Sequence, residues 1–245
     1  DRVRHWAKTV SAAAEAATAA GGDAISDAGA LTRRDATSPE CWLGETGSAQ
    51  AGGQPGVSGR WVGALWWLDQ LGAVAAAGHR LQCRQTLSGS DYGLLDDGTL
   101  APTAEFWCSV LWRRLMGTRV FAVDAAPRAP RTLRLYCHDG RAPQKGSDST
   151  RAAGGGGVRV YLAINLAAPG SAPAQLDAGV GADGACDVWL LTAAALDATE
   201  MAVNGAPPAA AADGVVPELP PRREWGGRIT LPAGAAAFVR VGGGS

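Results

Sequence analysis

The sequence predicts an α/β segment followed by an all-β domain, and three observations lead to that fold class. Helical and strand-like runs alternate up to about residue 123, short β-type runs separated by Pro- and Gly-rich turns follow, and no long helical pattern returns. The alternation is typical of parallel strands with crossover helices, as in an open α/β sheet or a (β/α)8 barrel. The later runs indicate an antiparallel β-sandwich.

Three helices are predicted in the first part. Residues 1–20 form the first, which Gly21-Gly22 ends before a polar loop to Pro39. The second, residues 60–77, carries large apolar residues at helical spacing, and Gly78 follows as its C-terminal cap. These apolar residues are Trp61, Leu65, Leu68 and Leu71.

The third helix, residues 103–116, is expected to end at Gly117. The apolar residues expected on one of its faces are Phe106, Val110, Leu111 and Leu115.

Two short strands lie between these helices. Cys41-Trp42-Leu43 leads into Gly44-Glu45 as a buried strand, and residues 80–85 form the second. Two parallel strands cannot bury themselves on both faces, so the segment is expected to belong to a larger barrel. The later β-type runs are Arg131–Cys137, Val158–Leu166, Val188–Leu191, Ile229–Leu231 and Ala237–Val241.

Composition excludes several function classes. The chain has 245 residues, of which 47% are hydrophobic and 18% are charged. Its net charge is −1, so it has no positive electrostatic field that would attract nucleic acid. Its five cysteines show no CxxC spacing and its three histidines share no motif, so no metal and no other cofactor is predicted. The serines lack a GxSxG elbow, and no apolar run is long enough for a membrane span.

Glu45 is the strongest catalytic candidate in the sequence. It ends a predicted strand, and barrels of this type keep their active sites at the C-terminal ends of the strands. Gly44 allows close approach of the backbone, and the apolar strand is expected to desolvate the carboxylate partly. Alone, such a glutamate is compatible with catalysis, with a salt bridge or with a cap.

The next strand places further polar groups at the same rim. It ends in Arg84-Gln85, and the loop after it carries Tyr92. Amides and a phenol beside a carboxylate suit a sugar site, since they supply hydrogen bonds and a flat surface. The alternative is that Tyr92 only packs the rim and Arg84 pairs with a structural acid. The residues alone leave both interpretations open.

Three ordered segments resemble the heparanase-like proteins of glycoside hydrolase family 79. They are WLGETGSA (42–49) with Gly52-Gly53 behind it, WLDQLG (67–72), and CRQTLSGSDYGLL (83–95) followed by LWRRLMGTRV (111–120). The resemblance implies that residues 1–123 are the last units of a (β/α)8 barrel and that residues 124–245 form a β-sandwich domain. It also implies a retaining glycosidase without a cofactor.

The resemblance assigns roles to five residues. Glu45 matches the catalytic nucleophile and Tyr92 a tyrosine that holds the uronic carboxylate. Ala51 and Gly52 match backbone amides that contact the same carboxylate, and Gln85 matches a glutamine at the subsite of the cleaved sugar. The implied partner is an acidic oligosaccharide or glucuronide, and the implied compartment is secreted, lysosomal or membrane-associated, any membrane contact being made through regions outside this chain.

The sequence departs from the family pattern in three ways. Gln50 stands where the family usually has Tyr, and Asp91 stands where it usually has Asn. The Asn-Glu-Pro setting of the acid/base is absent, and other acids on helices or outer loops are poor substitutes: Asp69, Asp96, Asp97 and Glu105. The isolated fragment is therefore expected to be inactive, since the N-terminal half of the barrel is missing. The rival hypothesis is a non-catalytic carbohydrate-binding or interaction protein derived from this fold.

The tryptophans are expected to fill two roles. Those on predicted helices are core or interhelix residues, and a carbohydrate-contacting surface around Trp189 and Trp225 is only an alternative. The helix tryptophans are Trp61, Trp66, Trp67, Trp107 and Trp112.

Overall fold

The computed structural model describes residues 40–123, 130–141, 157–211 and 213–242. The predicted helix over residues 1–20 and the loop to Pro39 lie outside the described residues, as do residues 154–156 of the glycine tract and Ala212.

Two helices and eleven strands make up the described part. The helices are α1 (Trp61–Ala76) and α2 (Ala104–Leu115). The first five strands are β1 (Trp42–Thr46), β2 (Leu81–Arg84), β3 (Met116–Phe121), β4 (Leu133–Gly140) and β5 (Arg159–Asn165). The others are β6 (Ala174–Asp177), β7 (Ala185–Thr192), β8 (Ala202–Val203), β9 (Arg222–Trp225), β10 (Arg228–Leu231) and β11 (Ala235–Val241).

Helix α1 confirms the helix predicted over residues 60–77. Its four spaced apolar residues are all buried, Trp61 and Leu68 almost completely. The helix ends as expected, because Gly78 has a φ of 86° and donates its N–H to Ala75 O at 2.9 Å. Alanine and glycine at other positions let neighbours approach closely, and a β-carbon at Gly72 would lie 2.3 Å from the Tyr136 ring.

Helix α2 lies where the third helix was predicted, but two details were wrong. The most buried residues of its inner face include Trp107, Cys108 and Leu111, whereas Phe106 and Val110 are only partly buried. The chain also runs directly from Leu115 into β3, so Gly117 is a strand residue rather than the end of the helix. Thr103 caps the N-terminus, where its Oγ1 accepts the Phe106 N–H at 3.4 Å.

Strands β1 and β2 pair in parallel, as the alternation predicted. Helix α1 packs on one face, where Gln82 Nε2 donates to Leu71 O at 3.1 Å. The prediction that β1 is buried was wrong, because the other face has no cover from the described helices and Trp42 is 61% exposed.

The remaining strands build mainly one antiparallel sheet, in the order β3-β4-β5-β11-β7-β8, with β9 also paired to β7. One face packs on α1 and α2 through a core that includes Leu162 and Phe238. The opposite face packs on a second pair of strands, β6 and β10, through Val188 and Leu231. Strand β3 lies before residue 123 and pairs with β4 after it. The predicted division into a barrel part and a sandwich stays a prediction.

Tryptophans of the helices pack as predicted. Trp61, Trp67 and Trp107 are at most 3% exposed, and Trp66 and Trp112 pack at the margin of the same core. Asp69 has a structural role, because it accepts the Tyr136 hydroxyl at 2.6 Å between α1 and β4. Neither of the two described helices is long and apolar enough to cross a membrane.

Candidate active site

Glu45 lies near the C-terminal end of β1, immediately before the last residue of the strand. Its side chain is exposed, and within the described ranges nothing donates a hydrogen bond to its carboxylate. The expectation of partial desolvation was therefore wrong for this part of the chain, because the face of β1 that carries Trp42 is uncovered. An exposed strand-end carboxylate can be reached by a ligand from solvent.

The end of β2 lies beside Glu45, as the parallel pairing requires. Gln85 donates its backbone N–H to Thr46 O at 2.9 Å, which places the residues after both strands at one edge. The Tyr92 hydroxyl donates to Gln85 Oε1 at 3.1 Å. The Tyr92 ring is only 4% exposed and packs against Gly47, where a β-carbon would lie 2.7 Å from the ring. Gln85 therefore contacts the residue that follows Glu45, and Tyr92 contacts the residue after that.

The two loops that follow β1 and β2 contact each other. Asp91 donates its backbone N–H to Gly52 O at 2.8 Å, and a β-carbon at Gly53 would lie 2.7 Å from that of Asp91. Ala51 and Gly52 have φ angles of 55° and 91°. No residue of the described part accepts a hydrogen bond from either N–H, so both amides are available to an anion.

A buried ion pair lies beneath these loops. The Arg84 guanidinium binds the Glu105 carboxylate, and the two side chains are 6% and 1% exposed. Arg84 Nη2 also donates to Tyr92 O at 2.8 Å. The predicted alternative for Arg84, a pair with a structural acid, is what the structure contains. From the sequence alone, Glu105 was only a poor acid/base candidate. Arg84 and Glu105 are 21 residues apart in the sequence, so no local pattern indicates that they pair.

Burial dominates the electrostatics of this pair. It raises the pKa of Glu105 from 4.5 to about 7, although the Arg84 charge and the Gly59 backbone amide favour the ionised form. Burial likewise lowers the pKa of Arg84, and Glu105 opposes that shift. The cation is further stabilised by aromatic faces, since Arg84 Cζ lies 4.7 Å from the Trp67 ring centroid and 5.4 Å from that of Tyr92.

We predict that stability falls as pH rises from about 4.5 to about 7 because of Glu105. In that window the folded state keeps a proton that the unfolded state has lost, so raising the pH favours unfolding. The expected contribution is on the order of 3 kcal/mol, and the Glu105→Gln variant should lose this part of the slope. Denaturant midpoints of both proteins between pH 4 and pH 8 measure it. Equal slopes in the two proteins would contradict the shift.

The other acids considered as proton donors are occupied elsewhere. Asp96 accepts hydrogen bonds from Gly98 and Thr99 at its own turn. Asp97 accepts the Ser88 hydroxyl at 3.0 Å, and Asp69 is held by Tyr136. Within the described ranges no group of three or more His, Cys, Asp or Glu side chains is arranged to hold a metal ion. Cys108, Cys137 and Cys186 are buried free thiols.

Known sequences resemble part of this chain. Residues 16–72 match the N-terminal domain of glycosyl hydrolase family 79. Heparanase-like protein 1 of Arabidopsis thaliana is 44% identical over 97 residues, which is 40% of this chain and 18% of that protein. Baicalin-β-D-glucuronidase of Scutellaria baicalensis is 35% identical over 108 residues, 44% of this chain and 20% of that protein. The matched part spans about a fifth of each relative's length.

Solved structures share the fold at low identity. A 4-O-α-L-rhamnosyl-β-D-glucuronidase from Fusarium oxysporum 12S superposes with a TM-score of 0.53 at 19% identity, covering 82% of this chain and 43% of that one. A family 51 α-L-arabinofuranosidase from Thermotoga petrophila superposes at 0.51 with 12% identity, covering 83% and 43%. The described part therefore shares its fold with part of each of these two structures. The sequence matches confirm the predicted resemblance to family 79.

Proposed function

We propose, from the match of residues 16–72 to the N-terminal domain of glycosyl hydrolase family 79, that the full-length protein is a retaining glycosidase with Glu45 as nucleophile. Its proposed substrates are polysaccharides or glycosides with β-linked glucuronic acid. The observation that carries the proposal is the exposed Glu45 carboxylate at the end of β1, beside the Gln85 and Tyr92 that follow the parallel strand β2. Strand ends are where barrel enzymes assemble their chemistry.

In the proposed mechanism a Glu45 oxygen attacks the anomeric carbon and the aglycone leaves, which forms a glycosyl ester. Water then cleaves the ester. A second carboxyl group must protonate the leaving oxygen, and retaining enzymes hold the pair about 5–5.5 Å apart. Asp69, Asp96 and Asp97 are committed to local hydrogen bonds, and Glu105 is buried against Arg84. We therefore assign the proton donor to another part of the protein and expect these 245 residues alone to be inactive.

The uronic carboxylate is proposed to bind at the loop after β1. The N–H groups of Ala51 and Gly52, which have no acceptor among the described residues, can donate to an anion, and the Tyr92 hydroxyl lies in the loop that contacts them. Gln85, which already accepts from Tyr92, is proposed to line the subsite of the cleaved sugar. Asp91 adds an exposed negative charge to this edge, so backbone amides must supply most of the attraction. By the same resemblance, the proposed compartment is secreted, lysosomal or membrane-associated.

Covalent trapping tests the proposed nucleophile. The full-length protein is incubated with 2-deoxy-2-fluoro-β-D-glucuronosyl fluoride, and fluoride should leave as an ester forms with a Glu45 oxygen. Peptide mass spectrometry is expected to place the sugar on the peptide that contains Glu45. The Glu45→Gln variant should stay unlabelled. A label on any other carboxylate would overturn the assignment.

A second candidate is a non-catalytic carbohydrate-binding protein, and one observation favours it. Trp225, at the end of β9, is 70% exposed, and Arg223 Cζ lies 5.9 Å from its ring centroid. Exposed rings of this kind can stack on sugars. If this candidate is correct, Trp225→Ala should abolish retention of the protein on an acidic polysaccharide while Glu45→Gln leaves retention unchanged. The proposed enzyme predicts no loss of hydrolysis in Trp225→Ala.

A further inference from the structure

We propose that the buried Arg84–Glu105 pair is a positioning device that holds the loop carrying Tyr92, and thereby sets the preference for an acidic sugar. The inference rests on the proposed function for its link to specificity. Neither side chain is a catalytic residue, because both lie beneath the loops and are nearly inaccessible.

The Arg84 guanidinium connects Glu105 to the Tyr92 backbone. Arg84 immediately precedes Gln85, and its Nη2 binds both Glu105 and the backbone oxygen of Tyr92. The guanidinium is flat and its donors have fixed directions, so the position of the Tyr92 backbone follows from that of Arg84. The Trp67 ring holds the cation from the side of α1, with its centroid 4.7 Å from Arg84 Cζ.

Glu105 also lies close to the loop after β1. Glu105 lies in the first turn of α2, and the Gly59 backbone amide favours its ionised form. Gly59 in turn packs on the second loop, because a β-carbon there would lie 2.3 Å from Asp91 O. A β-carbon at Gly63 of α1 would lie 2.8 Å from Glu105 Oε1. Since the same β-carbon would lie 3.2 Å from Val57 O, Glu105 Oε1 lies close to the segment after β1, while its Oε2 binds Arg84 and through it the segment after β2.

Tyr92 connects the Arg84–Glu105 pair to the proposed binding site for the uronic carboxylate. The Tyr92 ring packs on Gly47, two residues after Glu45, and its hydroxyl binds Gln85. The Asp91 N–H donates to Gly52 O, and the Gly52 N–H itself has no acceptor within the described ranges. Moving the Tyr92 backbone would therefore shift the hydroxyl and both free amides relative to Glu45. Uronate binding depends on these groups, whereas a neutral sugar requires fewer of them.

A purely structural role predicts a different outcome. Buried ion pairs are often replaceable by apolar residues of similar volume without loss of stability. If Arg84 and Glu105 only filled space, a Met and a Leu could substitute for them. If the pair positions Tyr92, the double variant should fold and still lose specificity, because methionine cannot donate to Tyr92 O.

The test compares the full-length wild type with the Arg84→Met/Glu105→Leu double variant. Hydrogen–deuterium exchange of residues 86–95 is expected to rise at least about tenfold in the variant. The ratio of kcat/KM for an aryl β-glucuronide to that for the aryl β-glucoside is expected to fall about tenfold, mainly through KM. The matched control is Tyr136→Phe, which removes a hydrogen bond between α1 and β4 and should leave both readouts unchanged.

The Arg84→Lys variant keeps the charge and serves if the double variant does not fold. It is expected to raise exchange over residues 86–95 and to lower the ratio by a smaller factor, since an ammonium lacks the planar donors. Unchanged exchange in Arg84→Lys and in any folded double variant overturns the positioning role. Raised exchange with an unchanged ratio overturns the role in specificity. A wild type that hydrolyses neither substrate contradicts the proposed function, while exchange still decides the positioning.

Discussion

Replacing Glu45 by glycine in the full-length protein is expected to lower kcat for an aryl β-glucuronide on the order of 10⁴-fold. The reason is chemical: without the carboxylate no glycosyl ester forms, and the only remaining route is direct attack by water. The exposed position of Glu45 makes the change local, because within the described residues its side chain supports no neighbour. The thermal unfolding midpoint should therefore stay close to that of the wild type.

Azide distinguishes a lost nucleophile from a damaged site. In Glu45→Gly the space left by the side chain should admit azide, which attacks the anomeric carbon from the same face and yields the α-glycosyl azide. Activity on an aryl glycoside should recover with azide concentration, and NMR of the product gives its configuration. Glu40→Gln is the control, because Glu40 is an exposed glutamate just before β1 that forms an ion pair with Arg80. A variant that keeps a tenth of wild-type activity without azide would contradict the role of Glu45.

Local signals were sufficient to predict the elements that carry the candidate site. The spacing of Trp61, Leu65 and Leu68 gave helix α1, and the positive φ of Gly78 explains why a glycine ends it. The alternation of short apolar runs with helices predicted that β1 and β2 are parallel neighbours, which the pairing confirms. That pairing alone brings Gln85 next to Thr46, so the shared edge of Glu45 and Gln85 follows from the topology.

Other features depend on contacts that no local pattern records. Leu115 is followed by a strand without any break, so the predicted helix end at Met116 and Gly117 was wrong, because both residues belong to β3. Strands β6 and β9 are short and largely polar, and only their pairing with β10 and β7 defines them. The exposure of Trp42 depends on what covers β1 and not on its own apolar sequence.

The Arg84–Glu105 pair shows the same limit most clearly, because two charges in different elements become neighbours only in the folded chain. Arg84→Met alone is expected to lower the unfolding free energy of the full-length protein by about 3–5 kcal/mol. The cost arises because Glu105, whose side chain is 1% exposed, would lose the cation that offsets its burial. The Arg84→Met change also removes the Arg84 hydrogen bond to the Tyr92 carbonyl.

Glu105→Leu alone should lower the unfolding free energy by a similar amount, because it leaves the Arg84 guanidinium buried between Trp67 and Tyr92 without its carboxylate. The double variant is expected to lie within about 2 kcal/mol of the wild type, since neither charge then remains buried. Denaturant unfolding of the four proteins at pH 8, above the pKa of about 7 for Glu105, measures the cycle with the carboxylate ionised. Additive losses would show that the two residues act independently. A strongly coupled cycle with a stable double variant would mean that stability does not require the charges, so that hydrogen–deuterium exchange of residues 86–95 decides whether the pair holds Tyr92 in place.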